Sequence, residues 1–325
     1  MGLPLRKLPL VTLYLTERCN SRCVTCDYWQ HGRTDVSREL VARLLPGFAK
    51  MGTEEVLLSG GEPFLHPEWE PIATLLRSQG LRVSLLTSGL SLAKHARRAA
   101  LLFEDITVSL DGTDPHSYAA IRGLNAFDKV CEGIRLVASH GNAPGVRVTL
   151  QRSNYRELPR FVELARYLGA RHVSFLAVDV GNSHAFGRTA GFSGEVSLRA
   201  EDLTVFEGLL NSLEHDYAED FRSGFIAESP QKMRRILAYF RALLGLGGFP
   251  EVRCNAPEFS AVVTADGRVQ PCFFIEGPPN AQPLGDLPET LNQPDMTQLR
   301  ADIGSGKRAE CSTCVCSKWR ALASV

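Results

Sequence analysis

The sequence carries no excess of charge, because 36 Lys and Arg residues balance 36 Asp and Glu residues. Proteins that bind nucleic acid usually present a strongly basic surface, so this balance argues against such a partner. The sequence also lacks any apolar run near the roughly 18 residues that cross a bilayer, and we expect no membrane association. Residues 1–15 contain two prolines and no small-residue cleavage site, which argues against a signal peptide.

Cysteine is the residue type that stands out, with nine copies in 325 residues. An odd number excludes complete intrachain pairing, and a chain of this length needs no disulfide framework. We therefore expect a reduced, cytoplasmic protein, in which clustered cysteines usually bind metal or take part in redox chemistry. One cysteine lies alone on the apolar side of a predicted helix and is expected in the core. The cysteines are placed unevenly, at Cys19, Cys23, Cys26, Cys131, Cys254, Cys272, Cys311, Cys314 and Cys316.

The first 180 residues alternate between short predicted strands and predicted helices. The strands are expected at 10–15, 55–59, 82–87, 105–110, 146–151 and 172–178, and the helices at 37–50, 67–79, 92–103, 126–140 and 156–168. Such alternation predicts βαβ units, an α/β fold and a parallel sheet. Right-handed crossovers then place the C-terminal ends of all the strands along one edge.

Glycine and polar residues follow these strands, at the edge where parallel α/β proteins bind their ligands. They are Cys19, Cys23 and Cys26, Gly60-Gly61-Glu62, Thr87-Ser88-Gly89, Ser109 and Asp111, Gln151 and Asn154, and Asp179. A purely structural requirement for packing would not collect them there. The sequence therefore predicts a ligand site along this edge.

The first three cysteines have C-x3-C-x2-C spacing. Thiolates suit iron–sulfur clusters, Zn or Cu(I). Three thiolates in one short loop would leave one iron of a [4Fe–4S] cluster open, which a reactive site requires. The alternative is a structural Zn site that takes a fourth ligand, for example His31.

This motif after the first strand, with Gly60-Gly61-Glu62-Pro63 after the second, resembles the signature of radical S-adenosylmethionine (SAM) enzymes over about residues 8–180. The resemblance implies a partial (β/α)6 TIM-like barrel and a [4Fe–4S] cluster on the three cysteines. It also implies reductive cleavage of SAM to a 5′-deoxyadenosyl radical, driven by an external electron donor such as flavodoxin or ferredoxin. Thr25 replaces the aromatic residue usual before the third cysteine, which leaves the adenine contact open, with Tyr28 as an alternative.

The resemblance further implies that SAM is held by loops after strands two to five. The residues concerned are Gly60, Gly61, Glu62, Pro63, Thr87, Ser88, Ser109, Asp111, Arg122, Gln151 and Asn154. Glu62 would bind the amino group of SAM and Arg122 its carboxylate, since their charges are complementary. Gln151 and Asn154 would lie on the ribose side.

The C-terminal cysteines flank a predicted hairpin that turns at Asp266-Gly267, and all-thiolate coordination suits Zn or an iron–sulfur cluster. The arrangement resembles the twitch domain, a shortened relative of the SPASM domain. This implies an auxiliary [4Fe–4S] cluster on Cys254, Cys272, Cys311 and Cys314, with a Zn ribbon as the alternative. Cys316 is left over; it could replace Cys314, be a spare thiol or donate a hydrogen atom to a substrate radical.

These patterns divide the chain into a radical SAM core at 1–180, a helical extension at 181–250 and an auxiliary-cluster domain at 251–325. Asp179, His184 and Arg188 lie after the sixth strand and are candidate substrate contacts or acid–base groups.

The predicted function is hydrogen abstraction from a small molecule or peptide, with the auxiliary cluster assisting oxidation or rearrangement. Cys19 comes so early that no upstream peptide-binding domain is expected, which favours a small molecule or a peptide delivered by another protein. A ribosomal-peptide maturase that forms crosslinks or epimers is the first alternative. A non-catalytic iron–sulfur carrier or Zn-stabilised scaffold is another, although neither requires the GGEP motif.

Overall fold

The computed structural model describes residues 4–30, 32–188, 195–278 and 286–321, so the candidate ligand His31 lies outside the described residues. Repeated strand–helix units form the first half of the chain. Their elements are β1 (Leu10–Thr16), α1 (Arg38–Lys50), β2 (Glu55–Gly60), α2 (Trp69–Ser78), β3 (Arg82–Thr87), α3 (Leu92–Leu102), β4 (Asp105–Ser109), α4 (Pro115–Arg122), α5 (Phe127–Ser139), β5 (Gly145–Leu150), α6 (Leu158–Tyr167) and β6 (His172–Ala177).

The described strands form one sheet in the order β6-β5-β4-β3-β2-β1, continued beyond β1 by two further strands. All neighbours among the first six are parallel. This confirms the predicted α/β fold and the partial TIM-like barrel. Each strand from β1 to β6 was predicted to within one or two residues of its observed bounds.

The two faces of this sheet differ in chemistry. One face carries fully buried aliphatic side chains such as Val11, Leu13 and Val56, which belong to the main hydrophobic core together with helix residues such as Phe48 and Ile72. The opposite, inward face is mixed. It carries hydroxyl residues such as Thr12, Ser59, Ser84, Thr107 and Thr149, charged residues such as Glu55, Asp105 and Arg147, and leucines such as Leu57, Leu86 and Leu176. Strands of a parallel sheet are usually apolar on both faces, so the hydroxyl and charged side chains on this face indicate a lumen that can bind polar groups.

Local sequence signals explain several helix ends. Ser37 caps α1, and its Oγ accepts a hydrogen bond from the Leu40 amide at 3.1 Å. Helix α4 was not predicted. It begins at a capping box in which the Asp114 carboxylate accepts from the backbone of Ser117, and it ends at Gly123 in the left-handed conformation. At eight residues, it is too short to show a clear apolar period.

The second half adds helices and a hairpin. The hairpin strands are β7 (Ser260–Val263) and β8 (Val269–Gln270), joined through the predicted Asp266-Gly267 turn and paired antiparallel. The helices are α7 (Ala200–Asp216), α8 (Ala218–Ser223), α9 (Pro230–Leu243), α10 (Leu287–Asn292), α11 (Pro294–Gly304) and α12 (Ala309–Ser312). None of the helices in the described residues is both long and apolar enough to span a membrane.

The hairpin is part of the barrel sheet. Strand β7 pairs in parallel with β1, with Leu10 opposite Ser260 and Leu13 opposite Val263. The sequence showed the hairpin but not this pairing, because two strands far apart in the chain carry no local signal for each other. The pairing joins the C-terminal cysteine region to the strand that leads to the first cysteine. The proposed division at residues 180 and 250 stays a prediction.

Candidate functional site

The loop after β1 carries Cys19, Cys23 and Cys26 and is fixed to two other parts of the barrel. The GGE loop after β2 holds its beginning, and the end of α4 holds its middle. Four backbone hydrogen bonds of 2.8–3.0 Å make these links: Gly61 N to Thr16 O, Glu62 N to Arg18 O, Arg22 N to Arg122 O, and Val24 N to Ile121 O. The spacing of the cysteines is therefore fixed by the barrel and not by the loop alone.

Glycine is required where these segments touch. A Cβ on Gly61 would lie 2.2 Å from the Arg18 carbonyl oxygen, and one on Gly123 would lie 2.4 Å from that of Arg22. Gly60 has a φ of +108°, and its Cβ would lie 2.5 Å from the Thr16 carbonyl oxygen. Larger residues would push the cysteine loop away from the site.

Glu62 is fully buried and accepts four hydrogen bonds. Its Oε1 accepts from Thr87 Oγ1 at 2.7 Å and from the Phe64 amide at 3.2 Å. Its Oε2 accepts from the Ser88 amide at 2.7 Å and from Ser88 Oγ at 2.6 Å. Pro63 follows as the first residue of a short 3-10 turn. The predicted SAM residues Glu62, Thr87 and Ser88 thus form one network that fixes an anionic carboxylate at the predicted edge.

Arg122 links the end of α4 to the cysteine loop. Its Nε forms an ion pair of 2.8 Å with Asp111 Oδ2, and its Nη1 donates to the Cys23 sulfur at 3.3 Å. Burial acts to lower the pKa of Arg122, but Asp111 and the Cys23 thiol outweigh it and raise the pKa. This contact places a positive charge beside one of the three loop sulfurs.

The surroundings of Cys19 and Cys26 raise the pKa values of both thiols. Burial raises the pKa of Cys19 to about 11 and that of Cys26 to about 12, with smaller upward contributions from Glu62 and Cys23 at Cys19 and from Cys23 and Cys19 at Cys26. In the described part of the chain, no three His, Cys, Asp or Glu side chains converge on a single metal ion. A cubane cluster binds each thiolate through a different iron, so it does not need such convergence.

Gln151 supplies an independent sign of a missing ligand. Its side chain is 1% exposed, yet neither amide atom has a hydrogen-bond partner among the described residues. A buried amide without partners costs free energy unless a ligand satisfies it. Gln151 and the three thiols therefore fit the cluster and SAM that the sequence implies.

Asn154 plays a different part from Gln151. Its Nδ2 donates to the backbone carbonyl oxygens of Asp111 and Thr149, both at 3.0 Å. Its Oδ1 accepts from the backbone N–H of Gln151 at 2.9 Å. These bonds hold the ends of β4 and β5 together next to Gln151. Ser109 is half-buried at the end of β4. Contacts of Ser109 and Asn154 with SAM stay predictions.

The loop after β6 contacts the cysteine loop directly. Arg188 Nη1 forms a buried ion pair of 3.0 Å with Asp179 Oδ1, and Arg188 Nη2 donates to the Thr25 carbonyl at 3.0 Å. The Phe186 carbonyl accepts from the Asp27 amide at 2.8 Å. Among described residues other than glycine, Phe186 alone has a positive φ, of 64°, a strained conformation that marks functional segments. His184 is half-buried, and substrate contacts by Asp179, His184 and Arg188 stay predictions.

The C-terminal cysteines are also neighbours. Burial raises the pKa of Cys272 to about 12, and nearby Cys311 and Cys254 raise it further. Burial likewise raises the pKa of Cys314, with contributions from Cys316, Cys272 and Cys254. The fold thus brings all five predicted thiols together, although it does not select which four bind a metal. Cys131 is 3% exposed within α5 and confirms the expected core position.

Tyr14 lies between the two cysteine sets, and the sequence did not reveal it. Burial is the main cause that raises the pKa of Tyr14 well above its usual value of 10. Tyr28 is the next contributor, and Cys272 and Cys26 both add to the shift. The Tyr14 and Tyr28 rings meet edge to face, with centroids 6.0 Å apart. The sequence signal that could have revealed Tyr14 is its inward-facing position on β1. One thiol of each set, Cys26 and Cys272, therefore lies near this inward-facing ring.

Comparison with known proteins agrees with this site. Residues 13–165 match the model of the family described as the Radical SAM superfamily. The cysteine and GGEP motifs lie within this range, so the match supports the resemblance inferred from them.

The curated relatives match about half of this chain. The chain is 30% identical over 167 residues to Fe-coproporphyrin III synthase of Methanosarcina barkeri, covering 49% of this chain and 41% of the relative. It is 34% identical over 170 residues to GTP 3′,8-cyclase of Vibrio cholerae, covering 48% and 50%. The chain thus spans about half the length of the curated relatives it matches.

Solved structures resemble a larger part of the fold. Streptococcus suis SuiB bound to precursor peptide SuiA has a TM-score of 0.67 at 14% identity, covering 91% of this chain and 67% of that one. Native anSMEcpe with bound AdoMet and Cp18Cys peptide has a TM-score of 0.66 at 19% identity, covering 89% and 82%. At these identities the likeness concerns the fold.

Proposed function

We propose that this chain is an enzyme that cleaves SAM reductively and uses the 5′-deoxyadenosyl radical to abstract hydrogen from a small molecule or peptide. The proposal includes an auxiliary [4Fe–4S] cluster on Cys254, Cys272, Cys311 and Cys314 that assists oxidation or rearrangement. The observation that carries it is the meeting of the cysteine loop, the buried Glu62 carboxylate and the unpartnered Gln151 amide at one edge of the barrel.

The chain's own residues hold and orient the cofactors. Cys19, Cys23 and Cys26 would hold the first cluster, which supplies the electron for SAM cleavage when it is bound. Glu62 would attract the SAM ammonium, since opposite charges in a buried site attract strongly. Arg122 would place its positive charge beside the Cys23 sulfur and offer its remaining N–H groups to the SAM carboxylate. An external one-electron donor of the flavodoxin or ferredoxin type would reduce the cluster.

The substrate class follows from the lumen. Its inward strand face combines hydroxyl groups and charged side chains, Arg147 among them, with several leucines, so a substrate that carries polar groups fits there. SuiB and anSMEcpe are described with bound peptides. A peptide substrate, and with it a maturase that forms crosslinks or epimers, is therefore the first alternative to test beside polar small molecules.

Anaerobic reconstitution tests the proposal. We expect about eight Fe per chain from two cubane clusters, and 5′-deoxyadenosine after adding dithionite and SAM. Changing the three loop cysteines to alanine should remove about half of the iron and all SAM cleavage. The matched control is Cys131→Ala, which should retain both because this thiol lies in the core. About four Fe with one Zn would overturn the auxiliary cluster, and a filled first cluster without SAM cleavage would overturn the catalytic function.

A further inference from the structure

Arg147 of β5 lies on the inner wall formed by β4, β5 and β6, whose inward positions also carry Asp105 and His172, and Lys318 lies close to it. Arg147 of β5 is paired across the sheet with Ser109 of β4 on one side and Ser174 of β6 on the other. Register partners in a parallel sheet project from the same face, so the three side chains form a polar row on the lumen wall. Adjacent strands are about 4.8 Å apart, which places Arg147 beside Ser109 and thus beside the residues implied to hold SAM.

Among the described residues, no carboxylate forms an ion pair with Arg147. Its Nε is buried and has no hydrogen-bond partner among the described residues. Glu228 is near but accepts from the Phe175 amide at 2.6 Å and pairs with Lys232 at 3.5 Å. Asp105 is also near and is paired with Arg171. Burial lowers the pKa of Arg147, and the nearby Glu228, Cys316 thiol and Asp105 partly oppose this shift.

The position of Arg147 along β5, below the C-terminal edge of the barrel, suits contact with a substrate group. Arg147, Thr149 and Gln151 alternate along β5 and its C-terminal end, so they share the inward face. Four residues of strand span about 13 Å, which separates Arg147 from the unpartnered amide at the edge. A molecule that extends from the edge into the barrel would pass Thr149 and then reach this guanidinium.

We propose that Arg147, supported by Ser109 and Ser174, binds a carboxylate or phosphate group of the substrate. A guanidinium fork matches both groups through paired N–H donors, and the flanking hydroxyls can donate to the remaining oxygens. The role as a substrate subsite rests on the proposed function. The anion site itself rests only on the residues of the lumen wall.

A competing role for Arg147 is to balance charge near the C-terminal thiols, because Cys316 lies close to it. That role predicts a different result when the cation is removed. The redox potential of an anionic cluster would shift, while binding of an added anion would be unchanged. The two roles can therefore be separated by experiment.

The probes are inorganic phosphate and malonate, titrated calorimetrically into the reconstituted protein with SAM bound. We expect one of the two to bind, and Arg147→Met to weaken it by at least about tenfold, since a desolvated charge-assisted pair is lost. Arg147→Lys should restore part of the affinity because it keeps a positive charge. Arg98→Met is the control, since Arg98 is an exposed residue of α3 paired with Glu70, and it should bind as the wild type does. Tighter binding of phosphate would indicate a phosphate group on the substrate, and tighter binding of malonate would indicate a carboxylate.

The proposal is overturned if neither anion binds, or if Arg147→Met binds them as the wild type does. A change in cluster potential without a change in anion binding would assign Arg147 to the thiols instead. Formation of 5′-deoxyadenosine is measured in parallel. If anion binding depends on Arg147 but no variant cleaves SAM, the subsite stands and the proposed function fails. If SAM is cleaved but anion binding does not depend on Arg147, only the subsite fails.

Discussion

Arg122 and Asp111 form a buried ion pair with Nε 2.8 Å from Oδ2, and the same guanidinium donates to the Cys23 sulfur at 3.3 Å. The backbone carbonyl of Arg122 also accepts from the Arg22 amide in the cysteine loop. One residue thus fixes both the position of this loop and the charge beside one of its sulfurs. The stability of the barrel and the assembly of the first metal site should therefore depend on the same side chain.

Arg122→Met should destabilise the metal-free protein by about 3–5 kcal/mol, because it leaves the Asp111 carboxylate buried without its partner. The double variant Asp111→Asn with Arg122→Met should lose less stability. The carboxamide introduced at position 111 carries no charge, and its oxygen can still accept a hydrogen bond from the backbone N–H of Thr149. Urea unfolding measures both free energies.

The control for this pair is Arg98→Met, which breaks an exposed ion pair with Glu70 and should cost no more than about 1 kcal/mol. Equal losses of unfolding free energy in Arg122→Met and Arg98→Met would contradict the larger contribution expected of the buried pair. Iron content of the reconstituted variants gives a second measurement. It should fall for Arg122→Met and stay unchanged for Arg98→Met.

Gly61→Ala should prevent cluster assembly. The added Cβ would lie 2.2 Å from the Arg18 carbonyl oxygen, so the GGE loop and the cysteine loop must separate. Gly208→Ala is a matched control, because its Cβ within α7 meets nothing within 4 Å and alanine favours a helix by about 1 kcal/mol. We expect Gly61→Ala to lose iron and SAM binding, and Gly208→Ala to keep both and unfold at a slightly higher temperature. Full iron content in Gly61→Ala would contradict the close contact.

The sequence predicted the elements that have strong local patterns. The strands from β1 to β6 alternate with helices of clear apolar period, and motifs such as C-x3-C-x2-C and GGEP lie at their ends. Short helices such as α4 and α12 were missed because eight residues or fewer show little periodicity.

Long-range contacts were beyond the sequence for a physical reason. The pairing of β7 with β1 and the bond from Arg188 to Thr25 join residues more than 160 positions apart, and neither partner shows a pattern that names the other. Glu62 could be assigned to SAM by motif, but its network with Thr87 and Ser88 depends on how β2 and β3 lie side by side.

Mild acid should destabilise the protein through two histidines. Burial and then nearby Lys94 lower the pKa of His95 below 6.5, and burial and then Arg171 do the same for His172. The unfolded chain therefore binds more protons in mild acid, so this stability is present above pH 6.5 and is lost as the pH falls through the lowered values.

The change is measured as the free energy of unfolding between about pH 7.5 and about pH 5.5. The double variant His95→Gln with His172→Gln should show a flatter profile, and the difference from wild type isolates the two imidazoles. His215→Gln is the control because this side chain is 89% exposed. Parallel profiles for the wild type and the double variant would contradict the assignment.

Arg188 gives the clearest test of whether the loop after β6 positions the first metal site or only contacts substrate. Its guanidinium is buried, paired with Asp179, and bonded to the Thr25 carbonyl next to Cys26. If it positions the loop, Arg188→Met should cost about 3–5 kcal/mol and lower the iron content even without substrate. If it only contacts substrate, stability, iron content and SAM cleavage without substrate should all match the wild type. The first outcome is expected, because the bond to Thr25 and the bond from Asp27 to Phe186 fix the third cysteine from both sides.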